Sequence, residues 1–176
     1  VIAFTPLRGW WFSAGLVALL LAIYMHTTLR GKFAVWRNLL DARQWRGDEQ
    51  VLDIGCGRGA VLLMAADHVP RGRATGIDIW SSKDQSGNGI DVTARNAEAE
   101  GVADRVELKT ADMRALPFAD ASFDLVVSSV TIHNIGDAAG RNQAIDEAWR
   151  VLRPGGQLLI ADISKGGQYH RRLQAM

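Results

Sequence analysis

From Val51 to Asp162 the chain moves between two hydrophobic rhythms. Short apolar or alternating runs, closed by Gly, Asp or Ser, are separated by longer stretches whose apolar residues recur every three or four positions. The first rhythm predicts strands and the second helices. Val51–Ile54, Ala74–Ile79, Val106–Thr110, Ser122–Ser129 and Gln157–Asp162 read as strands. Ala60–Ala66 and Ile90–Glu100 read as helices, the second stopped by Gly101. Asp137–Leu152 is a third helix, with Ile145, Ala148, Trp149 and Leu152 inward, broken by Arg153-Pro154-Gly155-Gly156. Strands alternating with helices imply an α/β, doubly wound and mostly parallel sheet with right-handed crossovers. The alternating Val106–Thr110 fits an edge position.

Ahead of this block, Trp10 to Met25 runs without a charge. As a helix it would extend roughly 24 Å, slightly short of a hydrocarbon core of about 30 Å. Trp10 and Trp11 at one end and Tyr24 at the other resemble interfacial anchors. Arg30, Lys32, Arg37, Arg43 and Arg46 follow, against Arg8 alone before. The pattern implies membrane association through residues 10–25, with the rest of the chain at the cytoplasmic face. The alternative is a helix packed on the domain or on another chain of a cytoplasmic protein. Gly31–Asp48 reads as an amphipathic helix with Phe33, Trp36, Leu39 and Leu40 on one side. The organisation expected is an N-terminal hydrophobic helix in residues 1–30 and a ligand-binding domain in 31–176.

The 176 residues carry 20 basic and 19 acidic side chains, a net charge of +1, so no basic field argues for nucleic acid. The single cysteine, Cys56, excludes an internal disulfide and reads as a small residue filling a turn. The histidines are scattered, without Cys or carboxylate at ligand spacing, so no metal site is expected.

The chemistry concentrates at Val51-Leu52-Asp53-Ile54-Gly55-Cys56-Gly57-Arg58-Gly59. A strand, a glycine-rich turn and a helix place backbone N–H groups at a helix N-terminus, which suits a ligand with negative charge or a carboxylate. Glycine permits positive φ and close approach of the backbone. A tight turn with no ligand is the plainest reading. Gly55-x-Gly57-x-x-Ala60, with Asp78 about 20 residues on, fits a dinucleotide fingerprint. Asp53-x-Gly55-x-Gly57-x-Gly59 instead resembles the first motif of class I S-adenosylmethionine (SAM)-dependent methyltransferases.

Further marks of that family follow in order: Gly76-Ile77-Asp78, Ala111-Asp112-Met113 before Leu116-Pro117-Phe118, Ser122-Phe123-Asp124-Leu125-Val126, and Leu152-Arg153-Pro154-Gly155-Gly156. From Val51 to about Asp162 the chain thus resembles the Rossmann-like methyltransferases of small-molecule type. The resemblance implies SAM as cofactor, with Asp53, Gly55, Gly57 and Gly59 around its methionine part. Asp78 would take the ribose hydroxyls, with Ile79 and Trp80 beside it. Asp112 would bind the adenine amino group and Met113 would pack on the ring. Ser128 and Ser129 would lie near the methionine end. A nicotinamide oxidoreductase accounts for neither Asp112-Met113 nor Pro154-Gly155-Gly156.

The chain departs from the family twice. Trp80–Gly89 is a longer, polar passage between the second strand and its helix, expected as a lid over cofactor or substrate with Trp80 against the adenine, with an idle surface insertion as the plainer reading. After the fifth strand there is no room for the family's terminal hairpin. That leaves five strands with an unpaired edge, open to a second copy of the chain, and the natural chain is expected to continue beyond Met176. His133, in Val130-Thr131-Ile132-His133-Asn134-Ile135, is the candidate general base, with a pocket-shaping histidine as its plainer reading. No Asn-Pro-Pro-Tyr-like tetrapeptide follows the fourth strand. The acceptor expected is therefore a small or lipid-like molecule, with a non-catalytic SAM-binding module as the alternative.

Overall fold

The computed structural model describes residues 7–26, 31–81 and 87–176. Two compact units meet in sequence at Ala42 and Arg43. The first contains helix α1, Leu7–His26, and helix α2, Lys32–Asp41. The side chains of residues 10–24 of α1 are all exposed. Among the described residues no helix is long and apolar enough to cross a membrane, so a membrane span rests on the sequence pattern alone. Arg30 and the flanking side chains of Arg8 and Met25 lie outside the described residues.

α2 ends seven positions earlier than its pattern suggests, and only Trp36 and Leu40 of its apolar stripe are buried. These two are four apart and share a face, whereas Leu39 is turned about 100° from Leu40 and is exposed, as is Phe33. The chain then turns at Gly47, φ 86°. The buried Glu49 carboxylate holds this turn, accepting the N–H groups of Arg46 (2.7 Å) and Gly47 (2.9 Å).

The second unit follows the expected alternation: β1 Gln50–Ile54, α3 Ala60–Asp67, β2 Arg73–Asp78, α4 Ile90–Ala99, β3 Val106–Thr110, β4 Phe123–Ser129, α5 Ala138–Arg150, β5 Leu152–Ala161 and α6 Gly166–Gln174. The five strands form one sheet of order β3-β2-β1-β4-β5, parallel throughout. β3 is an edge strand, as its alternation predicts. Strand order reverses direction between β1 and β4, which opens a crevice at their carboxyl ends.

Leu52 and Ile54 of β1, Val126 of β4 and Ala144, Ile145 and Ala148 of α5 belong to one buried cluster. Truncating one of its large aliphatic members to alanine costs about 2–5 kcal/mol. Asp137 caps α5 by accepting the Gly140 N–H at 2.7 Å. Trp149, expected inward, is exposed because it lies one position past Ala148 and so faces away from the cluster.

β5 starts at Leu152, not Gln157. Phe123 pairs with Leu152 and Leu125 pairs with Gln157, so Arg153–Gly156 form a bulge within the strand, with Gly155 at φ 80°. α6 opens at Gly166 and Gly167, and Lys165 before them is left-handed, at φ 66°.

Candidate active site at the carboxyl ends of the strands

The glycine loop follows β1, with Gly55, Gly57 and Gly59 at φ 77°, 51° and 89°. Four of the five N–H groups of Gly55–Gly59 are bonded inside the protein. Those of Gly55 and Cys56 both donate to the Ile77 carbonyl (2.8 and 3.0 Å), that of Gly57 to Asp78 Oδ2 (2.9 Å) and that of Gly59 to the Cys56 carbonyl (2.9 Å). β2 thus takes the donors of Gly55, Cys56 and Gly57, and the N–H groups of Arg58 and of the first turn of α3 are left for a ligand. α4 pins the outside of the loop, where Thr93 Oγ1 donates to the Gly57 carbonyl (2.7 Å) and Asn96 Nδ2 to that of Arg58 (2.9 Å).

Two carboxylates flank the loop, Asp53 fully buried in β1 and Asp78 at the end of β2. Burial first, then these two negative charges, push the Cys56 thiol far above its ordinary range. Cys56 is a space-filling thiol beneath Gly76, where a Cβ would press on its sulfur.

Asp78 is already engaged. Oδ2 accepts from Gly57, and Oδ1 accepts the Trp80 N–H (2.6 Å) and the Asn88 side-chain amide (3.3 Å). Trp80 sits at φ 58° with its indole N–H on Thr110 Oγ1 (2.8 Å) at the end of β3. The ring is therefore held near the ends of β2 and β3, and Ile79 beside it is exposed. Residues 82–86, the centre of the expected lid, lie outside the described residues.

The Ala111 N–H donates to the Asp78 carbonyl (3.2 Å), which brings Asp112 to the same edge of the sheet. Asp112 pairs with Arg114, whose Nη2 lies 2.6 Å from Oδ2 and whose main-chain N–H donates to Oδ1 (2.8 Å). Arg114 holds this carboxyl below the usual carboxylate range. Met113 packs against the buried cluster instead of standing free.

At the end of β4, Ser128 is buried and donates to the Ile54 carbonyl (3.2 Å), while Ser129 is half-buried. Three residues that sequence reasoning passed over complete the site. Val130 is β-branched yet sits at φ 55°, with its N–H on the Ala161 carbonyl (2.8 Å). The Thr131 hydroxyl bonds the Gly55 carbonyl (3.1 Å). Asp162, just past β5, has a side chain only 2% exposed and lies 2.6 Å, through Oδ1, from His133 Nδ1. Its Oδ2 accepts the His133 N–H (3.0 Å) and the Tyr169 hydroxyl (3.1 Å). Burial first, then the Asp162 charge, push the Tyr169 phenol up, so it stays a neutral donor. An acid closing an apolar strand was the available signal, since Asp53 and Asp78 follow the same rule.

His133 Nδ1 stands beside the Asp162 carboxylate without hydrogen-bond alignment, which turns Nε2 away from that carboxylate. The ring is 19% exposed, within reach of a bound molecule. Among the described residues no group of His, Cys, Asp and Glu could hold a metal ion.

A sequence profile of methyltransferase domains matches residues 51–156. The chain is 32% identical over 136 residues to a ubiquinone/menaquinone biosynthesis C-methyltransferase of Roseobacter denitrificans, covering 77% of this chain and 51% of that protein. It is 39% identical over 114 residues to the methyltransferase GfsG of Streptomyces halstedii, covering 65% of this chain and 37% of that one. The chain thus spans about half, or less, of the length of these relatives. The solved structure of the YcgJ protein from Bacillus subtilis superposes with a TM-score of 0.60 at 26% identity, over 75% of this chain and 50% of the other.

Proposed function

The chain belongs to the methyltransferase-domain family, whose cofactor is S-adenosyl-L-methionine, and from that premise we propose that it binds this sulfonium nucleoside across the ends of β1, β2 and β4 and methylates a small, apolar acceptor. One observation carries the reading. The glycine loop has bonded four of its five N–H groups internally and stands between two carboxylates. A pyrophosphate would meet negative charge and few donors there, whereas a cation with a sugar diol meets what it needs. The residues therefore fit SAM and do not fit a dinucleotide.

On this reading Asp78 holds the ribose, Gly55–Gly59 and Ser129 border the amino-acid end, and Asp112 and Met113 lie on the adenine side. Bound SAM supplies an electrophilic methyl group. Alignment of the acceptor against it supplies much of the acceleration. An oxygen or carbon acceptor must also lose a proton, and His133 Nε2 takes it while Asp162 fixes the ring and stabilises the imidazolium. That pair favours turnover over a module that only binds SAM. The exposed Val130 (39%) and Ile163 (74%), on adjoining strand ends, favour an apolar acceptor. The uncharged, exposed stretch 10–24 of α1 supports delivery of that acceptor from a lipid surface at the cytoplasmic face.

Calorimetry with SAM and with NAD tests the cofactor, with SAM binding and NAD not. Isotopically labelled SAM offered with a metabolite and lipid extract tests the transfer, with label expected in a small or lipid-soluble product. Binding of NAD, or SAM binding without label transfer to any acceptor, overturns the corresponding half.

A further inference from the structure

Asp78 is asked to do more than its present partners allow. A carboxylate offers about four acceptor positions on its two oxygens. Three donors occupy Asp78: the main-chain N–H groups of Gly57 and Trp80, and the Asn88 side-chain amide. A ribose diol brings two further donors. Only one position is open, so the second hydroxyl needs either a position that a present donor gives up or an acceptor beside Asp78.

The three are unequal. The Gly57 and Trp80 bonds are 2.9 and 2.6 Å long and belong to the backbone, and Gly57 is pinned by Thr93. The Asn88 bond is 3.3 Å long and belongs to a side chain that rotates freely of the main chain. Asn88 Oδ1 is moreover buried and makes no hydrogen bond among the described residues. A buried acceptor without a donor is costly, about 1–3 kcal/mol, and a hydroxyl arriving nearby would relieve that cost. The two halves of one amide therefore show the same thing: a donor held loosely and an acceptor left waiting.

We propose that Asn88 is a ribose-recognition residue, which yields Asp78 Oδ1 to one hydroxyl of a ribonucleoside and accepts a hydrogen bond from the other through its own Oδ1. This rests on the reading that the end of β2 binds the nucleoside half of SAM. The ligand class recognised is a nucleoside with a vicinal diol. Asn88 precedes Gly89, whose carbonyl accepts the Thr93 N–H (3.2 Å), and the Thr93 hydroxyl holds Gly57 (2.7 Å). The exchange therefore occurs on the segment that also braces the glycine loop.

The test is a calorimetric cycle on the full chain, with S-adenosylhomocysteine and its 2′,3′-dideoxy analogue as probes. Asn88→Ala weakens S-adenosylhomocysteine binding about tenfold and dideoxy binding less than twofold. Asn88→Leu, which keeps the side-chain bulk, behaves alike, and the melting temperature of both variants stays at the wild-type value. Equal weakening of both probes marks a merely structural residue and overturns the proposal. So does unchanged S-adenosylhomocysteine affinity in the variants while the wild type binds it. If the wild type binds neither probe, the cofactor assignment falls and takes this inference with it.

Discussion

The methyl group of Thr131 occupies the space that a side chain on Gly55 would need, and the Thr131 hydroxyl is bonded to the Gly55 carbonyl (3.1 Å). The end of β4 is thus locked onto the end of β1 at the crevice of the sheet. Gly55 is required by this packing as well as by any ligand. Gly55→Ala adds a Cβ both into Thr131 and onto a backbone at φ 77°. The expected loss is about 2–4 kcal/mol. Thr131→Ala in that background recovers only part of it, because the Thr131 Cβ also stands too close (2.7 Å) and the φ is unchanged. Thermal unfolding of the single and double variants measures both terms.

His133 and Asp162 are expected to act in the chemical step and not in cofactor binding. His133→Ala should lower kcat about 100-fold and leave SAM affinity within about twofold. Asp162→Asn should lower kcat about tenfold, since the ring keeps its place but loses the carboxylate charge beside it. Added imidazole should restore part of the turnover of His133→Gly, which a purely structural histidine would not allow. Single-turnover kinetics with the identified acceptor, beside calorimetry with SAM, separates the two effects.

Val130 is held in a conformation that costs an L-residue about 1–2 kcal/mol, and more when it is β-branched. Val130→Gly releases that strain and loses about 0.5–1 kcal/mol to added freedom in the unfolded chain. The variant should therefore unfold no earlier than the wild type, while KM for an apolar acceptor rises several-fold and SAM affinity stays unchanged. A melting curve and a substrate titration check the two halves.

Asp124, at the opposite end of β4, predicts an acid-sensitive element. Burial opposes its ionisation, but the Gln50 N–H (2.8 Å) and the guanidinium groups of Arg153 and Arg46 outweigh that and hold its pKa below the usual range. A depressed folded pKa contributes stability that is fully present above the unfolded value, near 3.9, and is lost as pH falls through the folded one. The wild type should lose stability as the pH drops below about 4. Asp124→Asn should be less stable at neutral pH by about 1–3 kcal/mol and show a flatter dependence in that acid range. Urea unfolding at a series of pH values tests the sign.

The Cys56 thiol should resist alkylation in the folded protein and react only on unfolding, because burial and the neighbouring carboxylates disfavour the thiolate. Iodoacetamide labelling in increasing urea should follow the global unfolding curve.

The sequence alone determined the order of strands and helices, the glycine loop after the first strand, and the acids Asp53 and Asp78 at strand ends. These are local matters, set by periodicity, turn residues and short spacing, and they were enough to place the chain in its family. It also picked out His133 by its place just past the fourth strand. What it could not supply were relations between distant residues. Thr131 meets Gly55 across 76 positions and His133 meets Asp162 across 29, because the sheet runs β3-β2-β1-β4-β5 and sets these strand ends side by side. The same neighbourhood engaged the N–H groups of Gly55, Cys56 and Gly57, since β2 lies within hydrogen-bond reach. It also decided the exposure of Trp149 and the early start of β5. Local patterns fix which way a segment prefers to fold, but strand order decides which polar groups find each other, and here the chemistry depends on those meetings.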